Sequence, residues 1–315
     1  INITMPSLGQ QTSASAIYRF ILSVTMSATI EINRLSKHYP GSKTYALKDL
    51  SLHVQPGEVY GFLGANGAGK STTIRILLNF IQPSGGGADI LGKDIVRDTV
   101  EVKRHVGYLA GDVALYRNMT GQQFLKYMAA LQPAKNPKYV QELVHAFEAD
   151  TGKPLQALSK GNRQKFGLIQ AFMHEPEVLI LDEPTSGLDP LMQEVFFGLV
   201  RKAKARGASV FVSSHNLSEV QRMCDRVGFI RAGRLVAEQS IVELSSTAAQ
   251  TFDVTFAEPP PLDQLRRLRG KLTVLAPNRI TIHIQGNLAP FLQLLGRSRV
   301  IRLDKPEVNL EEEFL

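Results

Sequence analysis

Short apolar runs alternate with helical patterns along most of the chain. Residues 29–33 and 50–54 alternate between apolar and polar like half-buried strands, and the runs at 58–63, 177–181 and 208–213 are almost continuously apolar. Helical patterns separate these three runs. Because helices cover both faces of a parallel sheet, its strands read as continuous apolar runs, and this order predicts an α/β core with a parallel sheet.

A long helical region interrupts this alternation. Residues 116–156 follow a helical pattern, with a polar turn at 133–138. We interpret this region as a helical subdomain inserted into the core and place it at about 113–165. The domain that contains it is predicted to cover residues 29–244.

The pattern changes again after Leu244. The three prolines at 259–261 cannot continue a helix and indicate a linker or a tight turn. Residues 271–275 and 279–284 alternate like strands, and residues 288–295 are helical in pattern. We therefore predict a small C-terminal α+β domain at 245–315.

The first residues and the overall composition add little chemistry. The apolar stretch at 16–26 contains Arg19 and is shorter than the roughly 20 residues that span a bilayer. It resembles a weak signal-peptide core, but we favour a disordered or non-native leader at 1–28.

The net charge of the chain is +7, and the tail contains no block of basic residues. This distribution indicates that the positive charge is spread diffusely over the surface, and we expect no nucleic-acid partner. The one cysteine, Cys224, is predicted to be a small buried hydrophobe.

A glycine-rich segment fits the phosphate-binding pattern G-x-x-x-x-G-K-[ST], between a predicted strand and a predicted helix. Its glycines let backbone N–H groups turn toward a phosphate, and the helix N-terminus favours the same anion. We expect Lys70 to reach the β- and γ-phosphates of ATP and the Ser71 hydroxyl to bind Mg²⁺. The predicted nucleotide-binding residues here are Gly64, Ala65, Asn66, Gly67, Ala68, Gly69, Lys70, Ser71 and Thr72.

Two further strand ends carry candidate catalytic groups. Asp182 and Glu183 end an apolar run, where two adjacent carboxylates would be costly without a cation or a proton. We predict that Asp182 holds Mg²⁺ and that Glu183 takes a proton from the attacking water. His215 ends the third run. A lone histidine there would be a packing or capping residue, but beside the other motifs we expect it to contact the γ-phosphate.

These motifs resemble the ATP-binding cassette (ABC) family over residues 30–244. Residues 158–164, Leu-Ser-Lys-Gly-Asn-Arg-Gln, are similar to the family's signature segment, and residues 186–189 to its dimer-contacting loop. The resemblance implies that Ser159, Gly161 and Asp189 serve ATP sites shared between two subunits, which makes a homodimer the expected assembly. It also implies that Tyr39 stacks on adenine, with Tyr45 as the alternative.

One position departs from the family pattern. The family usually has a glutamine in the loop between the core and the helical subdomain, where it touches Mg²⁺. Gly111 and Asp112 stand at the corresponding place. Because glycine has no side-chain ligand, Asp112 is the remaining candidate to bind the metal.

The resemblance implies an ATP-hydrolysing subunit of a membrane transporter, of the exporter type, at the cytoplasmic face of the cell membrane. The end of the chain, residues 308–315, is similar to that of export subunits. A separate polytopic permease would carry the solute and would dock at residues 108–120. The alternatives are a soluble ATPase that acts on nucleic acid or ribosomes, and a regulatory module without hydrolysis, which Glu183 disfavours.

Overall fold

The computed structural model describes residues 28–116, 118–247, 250–268, 270–284 and 288–305. The predicted leader lies outside these ranges except for Ala28. Within the described ranges, no helix is both long and apolar enough to cross a membrane.

The described strands and helices alternate in the order that the sequence predicts for an α/β core. The strands are β1 (Ile30–His38), β2 (Tyr45–Val54), β3 (Val59–Leu63), β4 (Gly85–Ile90), β5 (Lys93–Asp94), β6 (Val106–Leu109), β7 (Val178–Asp182), β8 (Ser209–Ser214), β9 (Arg226–Arg231), β10 (Arg234–Ser240), β11 (Gln250–Phe256), β12 (Gly270–Ala276), β13 (Arg279–Ile284) and β14 (Val300–Asp304). The helices are α1 (Lys70–Leu77), α2 (Thr99–His105), α3 (Gly121–Leu131), α4 (Pro137–Ala146), α5 (Lys160–Phe172), α6 (Pro190–Ala205), α7 (Leu217–Met223), α8 (Ile241–Thr247), α9 (Leu262–Arg266) and α10 (Ala289–Gly296).

A six-stranded sheet in the order β10-β9-β3-β8-β7-β6 forms the centre of the core. The neighbouring strands β9, β3, β8, β7 and β6 are all parallel to one another, whereas β10 at the edge is antiparallel to β9. Every residue of β3, β7 and β8 is buried, because helices pack on one face of the sheet, and α1 together with β1 and β2 packs on the other. The Phe211 ring lies 5.8 Å from that of Tyr60 and 5.3 Å from that of Phe62. The predicted α/β core is therefore confirmed.

A second sheet and a helical region complete the core. The second sheet is antiparallel, in the order β2-β1-β4-β5, and the sequence patterns missed β4 and β5. The helical region contains α3, α4 and α5. A reciprocal capping box of Thr120 and Gln123 begins α3, and the Asn136 side chain caps α4, which has proline at its first position.

The C-terminal region is a split βαβ fold. Its elements follow the order β11-α9-β12-β13-α10-β14, and its antiparallel sheet has the order β12-β13-β11-β14. The proline run at 259–261 lies inside this fold, where Pro261 occupies the N-cap position of α9 without a side-chain hydrogen bond, so the run forms the strand-to-helix turn. The predicted α+β class of the tail is thus seen in the described residues.

The core and the tail have separate hydrophobic clusters. The tail cluster contains Phe252, Val254 and Phe291 and consists only of residues from β11 onward. Leu244 in α8 belongs to a core cluster. Because α8 continues to Thr247, the predicted boundary at 244/245 falls within a helix, and the domain limits remain a prediction. Cys224 is buried in the core, and burial raises the pKa of its thiol.

Candidate functional site

Three neighbouring parallel strands bring the predicted motifs to one edge of the large sheet. The strands β3, β8 and β7 lie side by side in the sheet and run in the same direction. Gly64 follows β3, His215 follows β8, and Asp182 ends β7. In open α/β sheets, ligands bind outside the carboxyl ends of the strands, and this edge is therefore the candidate site.

The glycine-rich loop between β3 and α1 passes close to its neighbours. A Cβ at Gly64 would lie 2.4 Å from the Ile230 carbonyl oxygen. Gly69 has a φ of +117°, and a Cβ there would lie 2.7 Å from the Leu47 side chain. Only glycine satisfies both positions, since the first lacks space and the second also needs a left-handed backbone. Ala65, Asn66 and Gly67 of the same loop are exposed, whereas Ala68 is buried.

The Lys70 ammonium lies inside this loop. Its side chain is 5% exposed, and its Nζ donates to the Gly64 carbonyl oxygen at 2.5 Å and to the Ala65 carbonyl oxygen at 3.3 Å. Nζ also lies 3.1 Å from Glu183 Oε1. A buried cation is thus held between the loop and the catalytic carboxylate that the sequence predicts, where an anion can bind.

Glu183 connects the three strand ends. Its backbone N–H donates to the Ser213 carbonyl oxygen at 3.2 Å and is 3.1 Å from Ser213 Oγ. Its Oε2 lies 2.8 Å from Nδ1 of His215. The φ of 48° is left-handed, a conformation that costs a non-glycine residue about 1–3 kcal/mol and persists only where the surroundings enforce it. The predicted Glu183 and His215 pair therefore meets Lys70 in one cluster.

Asp182 is buried beside this cluster. Its Oδ1 accepts a hydrogen bond from Ser213 Oγ at 2.5 Å, and its side chain is 5% exposed. A Cβ at Gly111 would lie 3.3 Å from Asp182 Oδ2, so the loop after β6 passes directly over the carboxylate. Asp112 is exposed, and its role as a metal ligand remains a prediction.

The other predicted nucleotide contacts lie around this cluster. Ser71 and Thr72 are half-buried in the first turn of α1. Tyr39 follows β1 and is half-buried, with the Lys37 ammonium 5.3 Å from its ring centroid. Tyr45 begins β2, is 49% exposed and contacts His38 edge-on. The choice between the two tyrosines for adenine remains a prediction.

The segment at 158–164 begins α5, and the loop at 186–189 lies against it. Ser159 is exposed and caps α5, since its hydroxyl accepts from the Asn162 N–H at 3.3 Å. A Cβ at Gly161 would lie 2.3 Å from the Gly187 carbonyl oxygen, so the two backbones touch. Asp189 is exposed and caps α6 through the Met192 N–H. Capping alone accounts for serine and aspartate here, and the proposed contacts to ATP remain predictions.

Two buried polar residues belong to the site but were missed from the sequence. Ser213 bonds Asp182 and Glu183 together, and Gln164 donates to backbone oxygens of the loop after β7. A polar residue on the buried face of an otherwise apolar element is the available signal for both, because burial requires a hydrogen-bond partner.

The sheet order, the glycine-rich loop with its buried lysine, and the strand-borne Asp182 and Glu183 define a P-loop nucleoside triphosphatase. The sequence profile of the ABC transporter family matches residues 47–186. The chain is 32% identical over 302 residues to the uncharacterized ABC transporter ATP-binding protein YhcH of Bacillus subtilis (strain 168), an alignment that covers 92% of this chain and 96% of the relative. The chain therefore belongs to the ATP-binding subunits of ABC transporters and is an ATPase.

Two further similarities agree with this assignment. The chain is 37% identical over 216 residues to the bacitracin transport ATP-binding protein BcrA of Bacillus licheniformis, covering 68% of this chain and 70% of the relative. A dimeric bacterial ABC transporter cassette, MJ0796, superimposes with a TM-score of 0.62 at 21% identity over 67% of this chain and 98% of its own, which shows the shared fold. The predicted transporter subunit is confirmed, and a soluble ATPase acting on nucleic acid or ribosomes finds no support.

Proposed function

We propose that two copies of the chain form a homodimer with two shared ATP sites and energise a separate polytopic permease, as an exporter at the cytoplasmic face of the cell membrane. The observation that carries the ATP site is the cluster of Lys70, Glu183 and His215, with separations of 3.1 and 2.8 Å. These three groups come from three different elements, so the fold and not local sequence brings them together.

The same contacts support a division of chemical roles. When ATP binds, Lys70 moves its charge from Glu183 to the terminal phosphates, which frees the carboxylate to orient and deprotonate water. His215 is 62% exposed and lies beside that carboxylate, where it can steady the transferring phosphoryl group. The loop's backbone N–H groups hold the β-phosphate.

The oxygen donors at the site suit magnesium. The Ser71 hydroxyl and the Asp182 carboxylate are hard ligands of the kind that Mg²⁺ shares with nucleotide phosphates. Ser213 orients the Asp182 carboxylate through the 2.5 Å bond to Oδ1 and leaves Oδ2 available. In this arrangement Mg²⁺ supplies charge neutralisation of the β- and γ-phosphates.

The exposed N-terminus of α5 supports a shared site. Ser159 presents a hydroxyl and backbone N–H groups at a helix end, which is a second binding place for an anion. The chain has one glycine-rich loop and one segment of this kind, so two copies build two complete sites. The dimeric form of the structurally similar cassette supports the same assembly.

Export is supported by similarity to BcrA, a bacitracin transport protein. The predicted export-like ending at 308–315 lies outside the described residues.

A groove beside β6 is the proposed docking place of the permease, and it shares Tyr108 with the predicted surface at 108–120. Its volume is about 160 Å³, and its lining includes Phe80, Lys103, Tyr108 and Met128. Phe80 is 53% exposed and packs edge-on against Tyr108. His174 also lines it, is 7% exposed, and has an Nε2 without a hydrogen-bond partner. A partly apolar groove with one unpaired buried nitrogen offers a partner both apolar contacts and a hydrogen-bonding group, which suits a segment of a permease.

Light scattering tests the dimer. With Glu183→Gln to block turnover, ATP should convert the monomer to a dimer, whereas Ser159→Arg in the same background should leave it monomeric with ATP still bound. A dimer that forms without ATP, or that survives Ser159→Arg, would contradict the shared site.

Purification from detergent-solubilised membranes tests the partner. A polytopic protein with about six apolar spans should accompany the full chain and be lost with Phe80→Asp. Equal recovery with Phe80→Asp would place the docking surface elsewhere.

A further inference from the structure

The helix α5 is tied to the loop that carries Glu183 within the same chain. Gln164 is 2% exposed, and its Nε2 donates to the Pro184 carbonyl oxygen at 3.0 Å and lies 3.5 Å from the Glu183 carbonyl oxygen. A buried carboxamide that donates to the backbone of another element fixes the distance between them, because breaking the bond leaves buried polar groups unpaired.

Two more contacts join the same pair of elements nearer to the surface. The backbones of Gly161 and Gly187 touch, and a side chain at Gly161 has no room. The Lys160 ammonium donates to Ser186 Oγ at 3.3 Å. The first turns of α5 therefore contact the loop from Pro184 to Gly187 at three successive points.

We propose that Gln164 is a positioning residue that couples the two ATP sites of the dimer. This inference rests on the proposed function, in which the α5 N-terminus of one chain faces the ATP of its partner while Glu183 serves the ATP of its own chain. When the N-terminus of α5 binds the phosphate of the ATP held by the partner, α5 shifts, and Gln164 transmits this shift to the backbone of Glu183. ATP bound at one site thereby positions the Glu183 carboxylate at the other site.

The strained backbone of Glu183 makes this transmission effective. A left-handed residue is held only by its surroundings, and here these include the Ser213 bonds on one side and the Gln164 bond on the other. If the Gln164 hydrogen bond is removed, the Glu183 carboxylate can still accept a proton, but its orientation is no longer fixed. A misplacement of about 1 Å can cost on the order of a hundredfold in rate.

Steady-state kinetics of the purified full chain test the proposal. The wild type is expected to respond sigmoidally to ATP, with a Hill coefficient above one. For Gln164→Met, which keeps the side-chain volume but removes the donor, we expect kcat to fall about 10- to 100-fold and the Hill coefficient to fall to one. The Kd of the monomer for ATP should stay unchanged, because Gln164 does not line the glycine-rich loop.

Gln193→Met is the matched control. Gln193 also donates its carboxamide to a backbone oxygen, that of Leu188 directly after this loop, at 3.3 Å, but from α6 and not from α5. It should keep the wild-type kcat and Hill coefficient. Retention of both by Gln164→Met, or an equal loss in Gln193→Met, would overturn the coupling through Gln164.

Lys160→Ala keeps the test valid if Gln164→Met does not fold. Lys160 is exposed, so its removal leaves the fold intact, and we expect a smaller fall of the Hill coefficient with little change in kcat. Lys165→Ala on the same helix should change neither. A hyperbolic ATP response of the wild type would overturn the inference alone, whereas a wild type that neither binds nor hydrolyses ATP would overturn the proposed function.

Discussion

The large core sheet and the tail sheet differ in how their two faces are buried. Strands β3, β7 and β8 are buried on both faces and parallel, so their carboxyl ends meet at one edge. In the tail, β11 and β13 alternate strictly, with Phe252, Val254 and Ile282 inside and polar side chains outside. The first arrangement concentrates functional groups, whereas the second spreads them over a face.

This difference predicts where substitutions affect chemistry and where they affect only stability. In the core, the site depends on the ends of strands whose bodies are the hydrophobic core. In the tail, the cluster around Phe291 contains no residue of the core clusters. The tail should therefore be able to lose stability while ATP turnover continues.

The largest expected effect comes from Glu183→Gln. Loss of the general base should lower steady-state ATP hydrolysis by about 10²–10⁴-fold, while ATP binding survives. Glu177→Gln is the control, because Glu177 directly precedes the same strand at its other end and is 55% exposed. Measurement of phosphate release from both variants checks this. If Glu177→Gln lost as much activity as Glu183→Gln, the loss could not be assigned to a general base at the carboxyl end of β7.

Phe291→Ala should have the next largest effect, confined to the tail. Phe291 is 1% exposed and its ring lies 5.2 Å from that of Phe252, so truncation should cost the tail about 3–5 kcal/mol. Hydrogen exchange of peptides from β11 and β13 should accelerate while ATPase activity is retained. Phe211→Ala in the core sheet is the matched variant, and it should lose stability and activity together. If Phe291→Ala lost as much activity as Phe211→Ala, ATP turnover in the core would depend on the stability of the tail.

Lys70→Ala should weaken ATP binding. A hydrogen bond to a charged group contributes about 1.5–3 kcal/mol, which corresponds to roughly ten- to a hundredfold in Kd. Equilibrium titration with a fluorescent ATP analogue measures the change. Lys138→Ala, on the exposed face of α4, should leave the Kd unchanged. An unchanged Kd for Lys70→Ala would remove the glycine-rich loop from the binding site.

In both the core and the tail, the sequence predicted the strands that have a clear local pattern and missed others, such as β4 and β5 of the core. Continuous apolar runs and the loop ending in Lys70 and Ser71 are local patterns, and they correctly located β3, β7, β8 and α1. The tail strands β11 and β14 were missed, because short alternating runs next to charged residues resemble loops. Gln164 and Ser213 were also missed as site residues, since their importance comes from contacts made across the fold.

The smallest expected effect concerns acid stability of the tail's polar face. A hydrogen bond from Thr281 Oγ1 at 2.5 Å, with Arg279 nearby, lowers the pKa of Asp253. A carboxyl with a lowered folded pKa contributes stability that is present above its unfolded pKa of about 3.9 and is lost as the pH falls through the folded value. Thr281→Val removes the main cause, so the pKa of Asp253 should rise toward its ordinary value.

The contribution of Asp253 to the acid-induced loss of tail stability should then become smaller, because the folded and unfolded pKa values approach each other. An NMR titration of the Asp253 carboxyl and hydrogen exchange of β11 measured above and below the unfolded pKa would show this. Thr273→Val is the matched control, because Thr273 is the exposed cross-strand partner of Thr281 on the same face. Since the tail face lies outside the ATP site, neither variant should change the pH dependence of ATP hydrolysis. A changed pH profile of turnover in Thr281→Val would show that this polar face communicates with the carboxyl edge of the core sheet.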